Sequence, residues 1–455
     1  MARNKTYPLI TDFNNIPKEA SVSEEEQPYS IPETWKWVRL GALIELVRGV
    51  TYKKNEIIKT GSPDAVLVLR GGNVREGAIS LDSDNVYVPK GIIQEAQLVR
   101  KNDVVIVSST GSSKVIGRAG VSEKTYSDVA FGAFLTLCRS ASLALDKRYL
   151  ATYFQSSLYR TVIRNLAAGV NINNIKGDHL RDLVFPLPTL EEQQQIVRYL
   201  DENLAKIDQV TSALETHLEQ TDKHKTSLIQ AAITGRLTHQ WRDQHSVSMA
   251  SWKQVQLGKL GKWGGGGTPS KSKRSFWVGG TIRWITSKDM KTSEIVDTRD
   301  HITAKAVEES TANLYQGPAI CVVMRSGILR RTLPIAKVNG EFTVNQDLKV
   351  LHVLADGVEP DFIYLAFLGH SDRILDVCSK SGTTVESIEF SKLKDYEIEL
   401  PVLPEQQEIA RILDEQLERI ERTDKLVAEV LKRLDTMKQQ IVSAALAGRL
   451  SLQVR

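Results

Sequence analysis

Residues 187–196 read LPTLEEQQQI, and residues 400–409, which lie 213 positions later, read LPVLPEQQEI. The correspondence continues without a gap to the pairs Ala231-Ala232 and Ala444-Ala445, and it ends at Gly235-Arg236-Leu237 and Gly448-Arg449-Leu450. Similarity of this length at a fixed offset is the signature of an internal repeat. The chain therefore consists of two related modules, each with a variable domain followed by a shared segment.

The shared segments have the apolar spacing of long α-helices. Thr189 and Glu192 form a capping box, Pro404 suits a first helical turn, and Gly235 and Gly448 supply the left-handed residue that closes a helix. We predict two helices of about 44 residues, or ~66 Å at ~1.5 Å per residue. The apolar positions are Ile196, Leu200, Leu204, Ile207, Val210, Leu214 and Leu218 in the first copy, and Ile409, Leu413, Leu417 and Ile420 in the second.

A long helix with a single apolar stripe needs a partner to cover that stripe. The alternation of three- and four-residue steps approximates a heptad, the pattern of a coiled-coil seam. The nearest candidate partner is the helix of the other copy, and we favour this paired arrangement. The alternative is that each helix packs separately on its own domain.

The segments before the helices are predicted to be mixed α+β domains of roughly 150 residues. Residues 1–30, in which Ser21 to Gln27 are polar and acidic, are expected to form an extended arm or a disordered leader,. Residues 238–250 are expected to be a polar joint. Short β-rich runs lie at 66–69, 104–107, 134–137, 282–285, 320–323 and 348–351, and amphipathic helices follow from Lys147 to Asn165 and from Pro360 to Cys378,.

The composition is that of an ordinary globular protein of 455 residues, with 41% hydrophobic and 25% charged residues,. The three cysteines, Cys138, Cys321 and Cys378, lack CxxC spacing, which excludes a disulfide framework and a cysteine zinc site,. No run of eighteen apolar residues and no secretory signal is present, so we expect a cytoplasmic protein without a membrane span. The net charge of +4 is too small to indicate a nucleic-acid partner by itself,.

The motifs of common enzymes are missing from the sequence. It contains no GxxxxGK[ST] loop, no GxGxxG after a strand, no HExxH and no GxSxG,. His217, His224 and His239 are expected to face solvent, and no cofactor or metal site is expected. The run Gly264 to Gly267 is interpreted as a flexible turn, with a phosphate-binding backbone as the alternative.

Each domain has polar and basic residues in the turns that follow its strands. Arginine, lysine, asparagine and serine contact base edges and phosphates in DNA. For any single residue the alternative is solvated loop surface, but the doubled arrangement favours function for the clusters. The candidate DNA-binding residues are Arg70, Asn73, Arg75, Ser109, Thr110, Ser112 and Lys114 in the first domain, and Lys271, Lys273, Ser287, Lys288, Lys291, Arg325, Ser326, Arg330 and Arg331 in the second.

From residue 31 onward the chain resembles the specificity subunit of type I restriction-modification systems. The resemblance rests on the doubled layout, on LPxLxEQQxI and AA…GRL at the two ends of each helix, and on GGGTPS…W…WITSKDM at 265–290. The GTPS motif occurs only in the second copy, and the first copy has RGGNV at 70–74 where the second has TSKDM at 286–290. This departure implies that the two domains recognise different half-site sequences.

The resemblance implies an α+β fold in which two tandem mixed α/β target recognition domains, residues 31–188 and 251–402, are separated by two long helices, residues 189–237 and 403–450. The helices would pair as an antiparallel coiled coil. Each domain would bind one half of a bipartite double-stranded DNA site, and the helix pair would set the spacing and dock two methyltransferase subunits. Restriction subunits would join this complex. Methyl transfer and ATP-dependent cleavage would belong to those partners, and the chain itself would be non-catalytic.

The competing hypothesis is an assembly scaffold, in which two globular domains on a coiled coil bind proteins but not DNA. It predicts that the basic clusters are dispensable. A stand-alone repressor or a single-chain restriction-modification enzyme would need methylase or nuclease motifs or an independently tight DNA affinity. The mild net charge argues instead for phosphate contacts that are supplied by partners.

Overall fold

The computed structural model describes residues 6–82, 84–112, 114–169, 174–380 and 385–450, and the chain divides into two compact units. Unit 1 comprises Met1–Leu214 with Glu429–Arg455, and unit 2 comprises Glu215–Ala428. Each unit contains one recognition domain predicted from the sequence and a part of both long helices. Within the described ranges, no helix is long and apolar enough to span a membrane.

Unit 1 contains a five-stranded sheet of order β2-β9-β6-β7-β4, a three-stranded sheet of order β5-β3-β8 and the antiparallel pair β1-β10. Its strands are β1 (Lys36–Arg39), β2 (Ile44–Arg48), β3 (Ala65–Leu69), β4 (Gly77–Ala78), β5 (Val86–Pro89), β6 (Val104–Val107), β7 (Ala119–Val121), β8 (Val129–Phe131), β9 (Leu135–Ser140) and β10 (Val184–Leu187). Its helices are α1 (Lys147–Gln155), α2 (Ser157–Gly169), α3 (Gly177–Arg181) and the first part of α4 (Leu190–Ile233).

Unit 2 repeats this plan with sheets of order β12-β19-β16-β17 and β14-β13-β18-β15 and the antiparallel pair β11-β20. Its strands are β11 (Lys253–Gln256), β12 (Gly261–Gly265), β13 (Ile282–Ile285), β14 (Asp300–Ile302), β15 (Tyr315–Gln316), β16 (Ala319–Val323), β17 (Ile335–Val338), β18 (Glu341–Val344), β19 (Leu348–Val353) and β20 (Glu397–Leu400). Its helices are α5 (His239–His245), α6 (Ala304–Glu309), α7 (Pro360–Gly369), α8 (Ser371–Cys378), α9 (Phe390–Asp395) and the first part of α10 (Leu403–Leu446).

The two long helices have the predicted length of 44 residues each and lie within the predicted segments 189–237 and 403–450. Gly235 and Gly448 follow them with φ of 70° and 68°, as expected for residues that close a helix,. The predicted capping box is present, because the Thr189 N–H donates to Glu192 at 3.0 Å and the Glu192 N–H donates to the Thr189 hydroxyl at 3.3 Å. The sequence therefore predicted both ends of these helices correctly.

A buried glutamine docks the start of each long helix onto its domain. The Gln193 amide donates to the carbonyls of Ala144 and Pro188, both at 2.9 Å, and its oxygen accepts the Asp146 N–H at 2.8 Å. Gln406 repeats this clasp in unit 2 on the carbonyls of Gly357 and Pro401 and the N–H of Glu359. Because Asp146 and Glu359 precede α1 and α7, the clasp fixes each long helix to a domain helix.

The hydrophobic core of each unit contains the start of one long helix and the end of the other. In unit 1, Ile196 and Leu200 of α4 belong to the same buried cluster as Ala445 and Leu446 of α10. In unit 2, residues 409 and 413 of α10 lie in one cluster with residues 232 and 233 of α4. Neither core is complete without both helices.

The helices pair antiparallel, as predicted. In unit 1 the Lys438 ammonium donates to Asp208, and in unit 2 Lys225 donates to Asp424 at 2.6 Å. Residues later in α4 therefore contact residues earlier in α10, which is the antiparallel direction. The seam is polar at these places. Val210, expected on the apolar stripe, is 47% exposed, because the seam follows Ile207, Thr211 and Leu214 instead.

Two expected single helices are each broken into two. The helix expected from Lys147 to Asn165 is interrupted at Ser156, whose extended backbone separates α1 from α2. The Ser156 hydroxyl donates to the Tyr153 carbonyl at 2.5 Å and accepts the Tyr159 N–H at 3.3 Å, and such local bonds compete with the helical ladder,. The helix expected from Pro360 to Cys378 breaks at His370.

Of the two alternatives predicted for the N-terminal segment, an extended arm and a disordered leader, the disordered leader is wrong for residues 6–30, which form an arm docked on the domain, while residues 1–5 lie outside the described ranges. Ile10 and Ala20 are completely buried in the core of unit 1. The Ile10 N–H donates to the Ala42 carbonyl at 2.8 Å, and Ser21 forms a bridge with Val38. The few apolar residues among the polar ones dock this segment on the domain.

The expected polar joint at 238–250 is also a docked element, because it contains α5 and a buried ion pair. Arg242 and the Thr238 hydroxyl donate to the completely buried Glu405 at 2.5 and 2.7 Å. The Trp252 indole donates to the other oxygen of this carboxylate at 2.9 Å. A buried carboxylate requires such partners, so the segment after α4 is tied to the start of α10.

The glycine run is closely packed and not the expected flexible turn, because Gly264 and Gly265 end a strand and Gly266 and Gly267 follow it directly. Residues 261–265 form β12, which pairs with β19 along its whole length. A Cβ atom on Gly264 would lie 2.3 Å from the Tyr315 hydroxyl, and one on Gly266 would lie 1.8 Å from the Val344 carbonyl. Glycine is required here because neighbouring atoms occupy the space of a side chain.

We predict that replacing Asp424 with Asn lowers the free energy of unfolding by about 1–2 kcal/mol at pH 7, because Lys225 loses the closer of its two carboxylate partners in a partly buried seam and keeps only Asp222 at 3.5 Å,. Burial opposes ionisation of Asp424, but hydrogen bonds from Lys225 and Thr221 outweigh it and lower its pKa. An aspartate with a lowered folded-state pKa stabilises the fold above its unfolded-state pKa and loses this effect as the pH falls through the folded-state value.

The difference between wild type and Asp424→Asn should therefore shrink as the pH falls below about 4. Urea denaturation of the full chain at several pH values measures it. Asp435→Asn, at an exposed position of the same helix, is the matched control and should have little effect. A difference that stays constant across this pH range would contradict the prediction.

Candidate nucleic-acid interface

A polar turn follows β3 in unit 1 and β13 in unit 2. Asn73 closes the first turn, because its Oδ1 accepts the Arg70 backbone N–H at 2.8 Å and its Nδ2 donates to the Ser80 carbonyl at 3.1 Å. Asp289 closes the second turn by accepting the Thr286 backbone N–H at 2.8 Å. The two turns therefore have the same construction and carry different residues on their exposed surface.

The second polar cluster of unit 1 contains Ser109, Thr110, Ser112 and Lys114. A short loop, residues 132–134, connects the turn after β3 to this cluster, and we call it the first crossing loop. Its first residue donates a backbone N–H to the Leu69 carbonyl at 2.9 Å, at the end of β3. The carbonyl of its last residue, Phe134, accepts the backbone N–H groups of Ser108 and Ser109, both at 3.0 Å. The two polar clusters are therefore held side by side.

The second crossing loop, residues 345–347, lies 213 positions later and makes the same connections in unit 2. Its first residue donates a backbone N–H to the Ile285 carbonyl at 3.0 Å, and its last residue accepts the Met324 N–H at 2.8 Å. Between them Gln346 accepts a hydrogen bond from the Thr268 hydroxyl at 2.6 Å. This contact brings the residues after the glycine run to the same surface.

Arg160 of α2 positions the second cluster of unit 1. Its guanidinium, which is almost completely buried, donates to the carbonyls of Ile116 and Lys114, both at 2.8 Å, and lies 3.2 Å from the Glu76 carboxylate. Burial lowers the pKa of Arg160 from its ordinary value. The sequence analysis missed this residue, although an arginine on the inward face of an amphipathic helix was the available signal.

The structure places most predicted contacts of unit 1 on this surface. Arg70 forms an ion pair with Asp84 at 2.7 Å and stays half exposed. Asn73 is the exception, because its amide is buried and used within the turn, which corrects the direct base contact expected of it. Of the remaining predicted residues, Arg75, Ser112 and Lys114 are exposed and Ser109 and Thr110 are partly buried.

In unit 2 most predicted residues follow the ends of β13 and β16, whereas Lys271 and Lys273 follow β12. Arg330 forms an ion pair with Glu386 at 2.9 Å, and the backbone of Glu386 accepts the Ser326 N–H at 3.1 Å. Lys273 lies 4.7 Å from the centre of the Phe276 ring and 3.8 Å from the Glu309 carboxylate. The other predicted residues that are exposed are Lys271, Lys288, Lys291, Arg325 and Arg331, and Ser287 is partly buried.

The surface offers recognition chemistry. Exposed arginine and lysine side chains suit phosphates and guanine edges, and hydroxyl groups suit several base edges. Burial raises the pKa of the thiols of Cys138, Cys321 and Cys378, which makes them poor nucleophiles,. Within the described part of the chain, no cluster of histidine, cysteine or acidic residues could hold a metal ion.

Comparison with known proteins gives a consistent result. The sequence profile of the type I restriction modification DNA specificity domain matches residues 32–220 and again residues 249–432. The chain is 28% identical over 429 residues to the StySPI specificity subunit of Salmonella potsdam, which covers 93% of this chain and 91% of that protein. It is 29% identical over 434 residues to the EcoKI specificity subunit of Escherichia coli strain K12, which covers 93% and 91%.

Solved structures support the fold. A chain from a structural study of complex assembly and conformational transition in a type I R-M system superposes with a TM-score of 0.67 at 17% identity and covers 93% of this chain and 100% of its own. The HsdS subunit from Thermoanaerobacter tengcongensis gives a TM-score of 0.51 at 18% identity, with coverage of 93% and 100%.

We predict that Arg160→Leu loosens the second polar cluster of unit 1, because it removes two hydrogen bonds that hold the carbonyls of residues 114 and 116. The loss should be about 1–3 kcal/mol of local stability, seen as faster amide hydrogen exchange in residues 114–118. Arg164→Leu, at an exposed position of the same helix, is the matched control. Unchanged exchange in Arg160→Leu would show that the loop does not depend on this arginine.

Proposed function

Because the chain belongs to the family defined by the type I restriction modification DNA specificity domain, which matches it twice, we propose that it recognises the target DNA sequence for a type I restriction-modification complex. The observation that carries this function is the repeated surface. In each unit a crossing loop joins a polar turn to a second polar cluster through equivalent backbone hydrogen bonds. A protein-binding scaffold has no need for this construction in both domains.

Each recognition domain reads one half of a bipartite target. The support is that the backbone frame is shared while the side chains on it differ. Position 72 is glycine where position 288 is lysine, both exposed, and position 134 is phenylalanine where position 347 is aspartate. One frame with different side chains suits two domains that bind DNA in the same way and recognise different bases.

The paired helices set the distance between the half-sites. Half-sites read from one face of B-DNA lie about one helical turn, ~34 Å, or a multiple of it apart. Each helix is docked at its start by the glutamine clasp and at its end by the core of a unit. A helix pair that is anchored in this way can act as a ruler.

The long helices also dock two methyltransferase subunits. Several side chains near the starts of the helices are identical in the two copies although they are exposed. The ion pairs that some of them form, Asp201 with Arg148 and Arg411 with Glu415, differ between the two copies and so do not explain the identity. A partner of one kind that binds twice does explain it. These pairs are Gln194 and Gln407, Arg198 and Arg411, Asp201 and Asp414, and Glu202 and Glu415.

The chemistry of the system belongs to the partner subunits. The methyltransferase subunits would transfer the methyl group, and restriction subunits would cleave DNA with the use of ATP. The chain contributes sequence recognition and assembly, and because its substrate is the DNA of the cell, we place its action in the cytoplasm.

Long-read methylation sequencing tests this function. DNA from a host that expresses the chain with its cognate methyltransferase subunit is compared with DNA from a host that expresses the methyltransferase alone. We expect a split motif, with modified adenines in both halves, only when the chain is present. If co-purification shows that the complex forms but no motif arises, the protein-binding scaffold is the better explanation.

We predict that a seven-residue helical insertion after Leu214 and after Val427, which are equivalent positions, lengthens or abolishes the recognised spacer. Seven residues add about 10 Å, which corresponds to about three base pairs. Methylation sequencing of the variant reports the spacer directly. An alanine-rich substitution of seven exposed residues in the same region, without a change in length, is the control. An unchanged spacer in the insertion variant would contradict the ruler.

A further inference from the structure

Phe134 is an aromatic side chain at the middle of the candidate interface, and 71% of it is exposed to solvent. An exposed leucine or valine on a surface needs no explanation, but a phenylalanine ring loses favourable burial when it projects into water. The neighbouring Phe131 and Leu135 are completely or almost completely buried. The exposure of Phe134 is therefore specific to this position in the first crossing loop.

The backbone of Phe134 is fixed by the two polar clusters. Its carbonyl accepts hydrogen bonds from the N–H groups of Ser108 and Ser109 and from the Ser108 hydroxyl, all at 3.0 Å. The first residue of the loop is bonded to the Leu69 carbonyl, next to Arg70. The ring thus projects from a point between the two groups of predicted DNA contacts.

The equivalent position in unit 2 is Asp347, the last residue of the second crossing loop. The Asp347 carbonyl accepts the Met324 N–H, just as the Phe134 carbonyl accepts the N–H groups of Ser108 and Ser109. The two backbone positions therefore have the same role. Its carboxylate accepts a hydrogen bond from the Asn345 amide at 3.2 Å, which orients it and leaves acceptor capacity free,. One backbone position therefore presents an apolar ring in one domain and an acceptor in the other.

The major groove of DNA offers a partner for each of these side chains. The 5-methyl group of thymine is the apolar feature of its base edges, and apolar side chains contact it, whereas carboxylates accept a hydrogen bond from the cytosine amino group. A residue that inserts between base pairs would be apolar in both domains. The exchange of phenylalanine for aspartate therefore favours a position that reads base edges.

We infer that Phe134 contacts the methyl group of a thymine in the half-site read by the first domain, and that position 347 is the corresponding base-reading position of the second domain. This inference rests on the proposed function, since it assigns a base to one residue of that interface. Burial of one methyl group by the ring is worth about a fourfold change in affinity.

The test uses the assembled complex of the chain with its methyltransferase subunits and a duplex that carries the recognised site. Each thymine of the site is replaced in turn by deoxyuridine, which removes only the 5-methyl group. We expect the wild-type complex to bind about fourfold more weakly when one particular thymine of one half-site is replaced. The Phe134→Ala complex should bind the parent site more weakly and should not respond to that replacement.

Leu143→Ala is the matched control, because this side chain is 81% exposed in the turn before α1 and its removal should leave the pattern unchanged. If Phe134→Ala retains the wild-type response to deoxyuridine, or if the wild-type complex responds at no thymine, the inference is overturned. A wild-type complex that binds all sequences equally would instead overturn the proposed function, and the inference would fall with it.

Discussion

The rest of the structure depends on one buried amide in each module. Gln193 and Gln406 are completely buried, and each joins three backbone groups from two different segments of its domain. An amide that is buried without partners is costly, so the long helix is stable only where the domain presents those groups, and the domain helix begins where the amide accepts its N–H. This reciprocal requirement explains why the EQQ sequence is retained in both copies while the surrounding domains have diverged.

The sequence predicted those elements whose formation is decided locally. The long helices carry their own start and end signals, and the strands β6 and β13 are apolar runs between turn residues, so both were located to within a residue. Elements that depend on distant partners were not predicted. Arg242 lies in a polar segment, and it is buried because it forms an ion pair with Glu405 at the start of another helix. The glycine run was similarly predicted to be flexible, because the sequence pattern does not show the neighbours, such as Tyr315, that pack against it.

The candidate interface divides in the same way. Its turns could be predicted, because polar residues after a strand mark a turn wherever they occur. The roles of individual residues could not be predicted, because polar residues of similar type serve different purposes in the interface. Asn73 closes a turn, Arg160 holds a loop, and Arg70 remains at the surface. Phe134 was missed because the sequence analysis placed it in the β-rich run 134–137, where a phenylalanine is expected to be buried. The structure begins the strand at Leu135 and leaves Phe134 as the exposed last residue of a crossing loop.

The composition of the two cores has a consequence for biosynthesis. Unit 2 is continuous in the sequence, whereas the core of unit 1 needs Ala445 and Leu446 from the last turn of α10. A nascent chain leaves the ribosome from its N-terminus, and domains generally fold as units once their residues are available. The core of the recognition domain that is translated first is therefore completed only after the end of α10 has been synthesised, whereas unit 2 needs no residue beyond 428. The two cores are thus completed in the order opposite to that in which the domains are encoded.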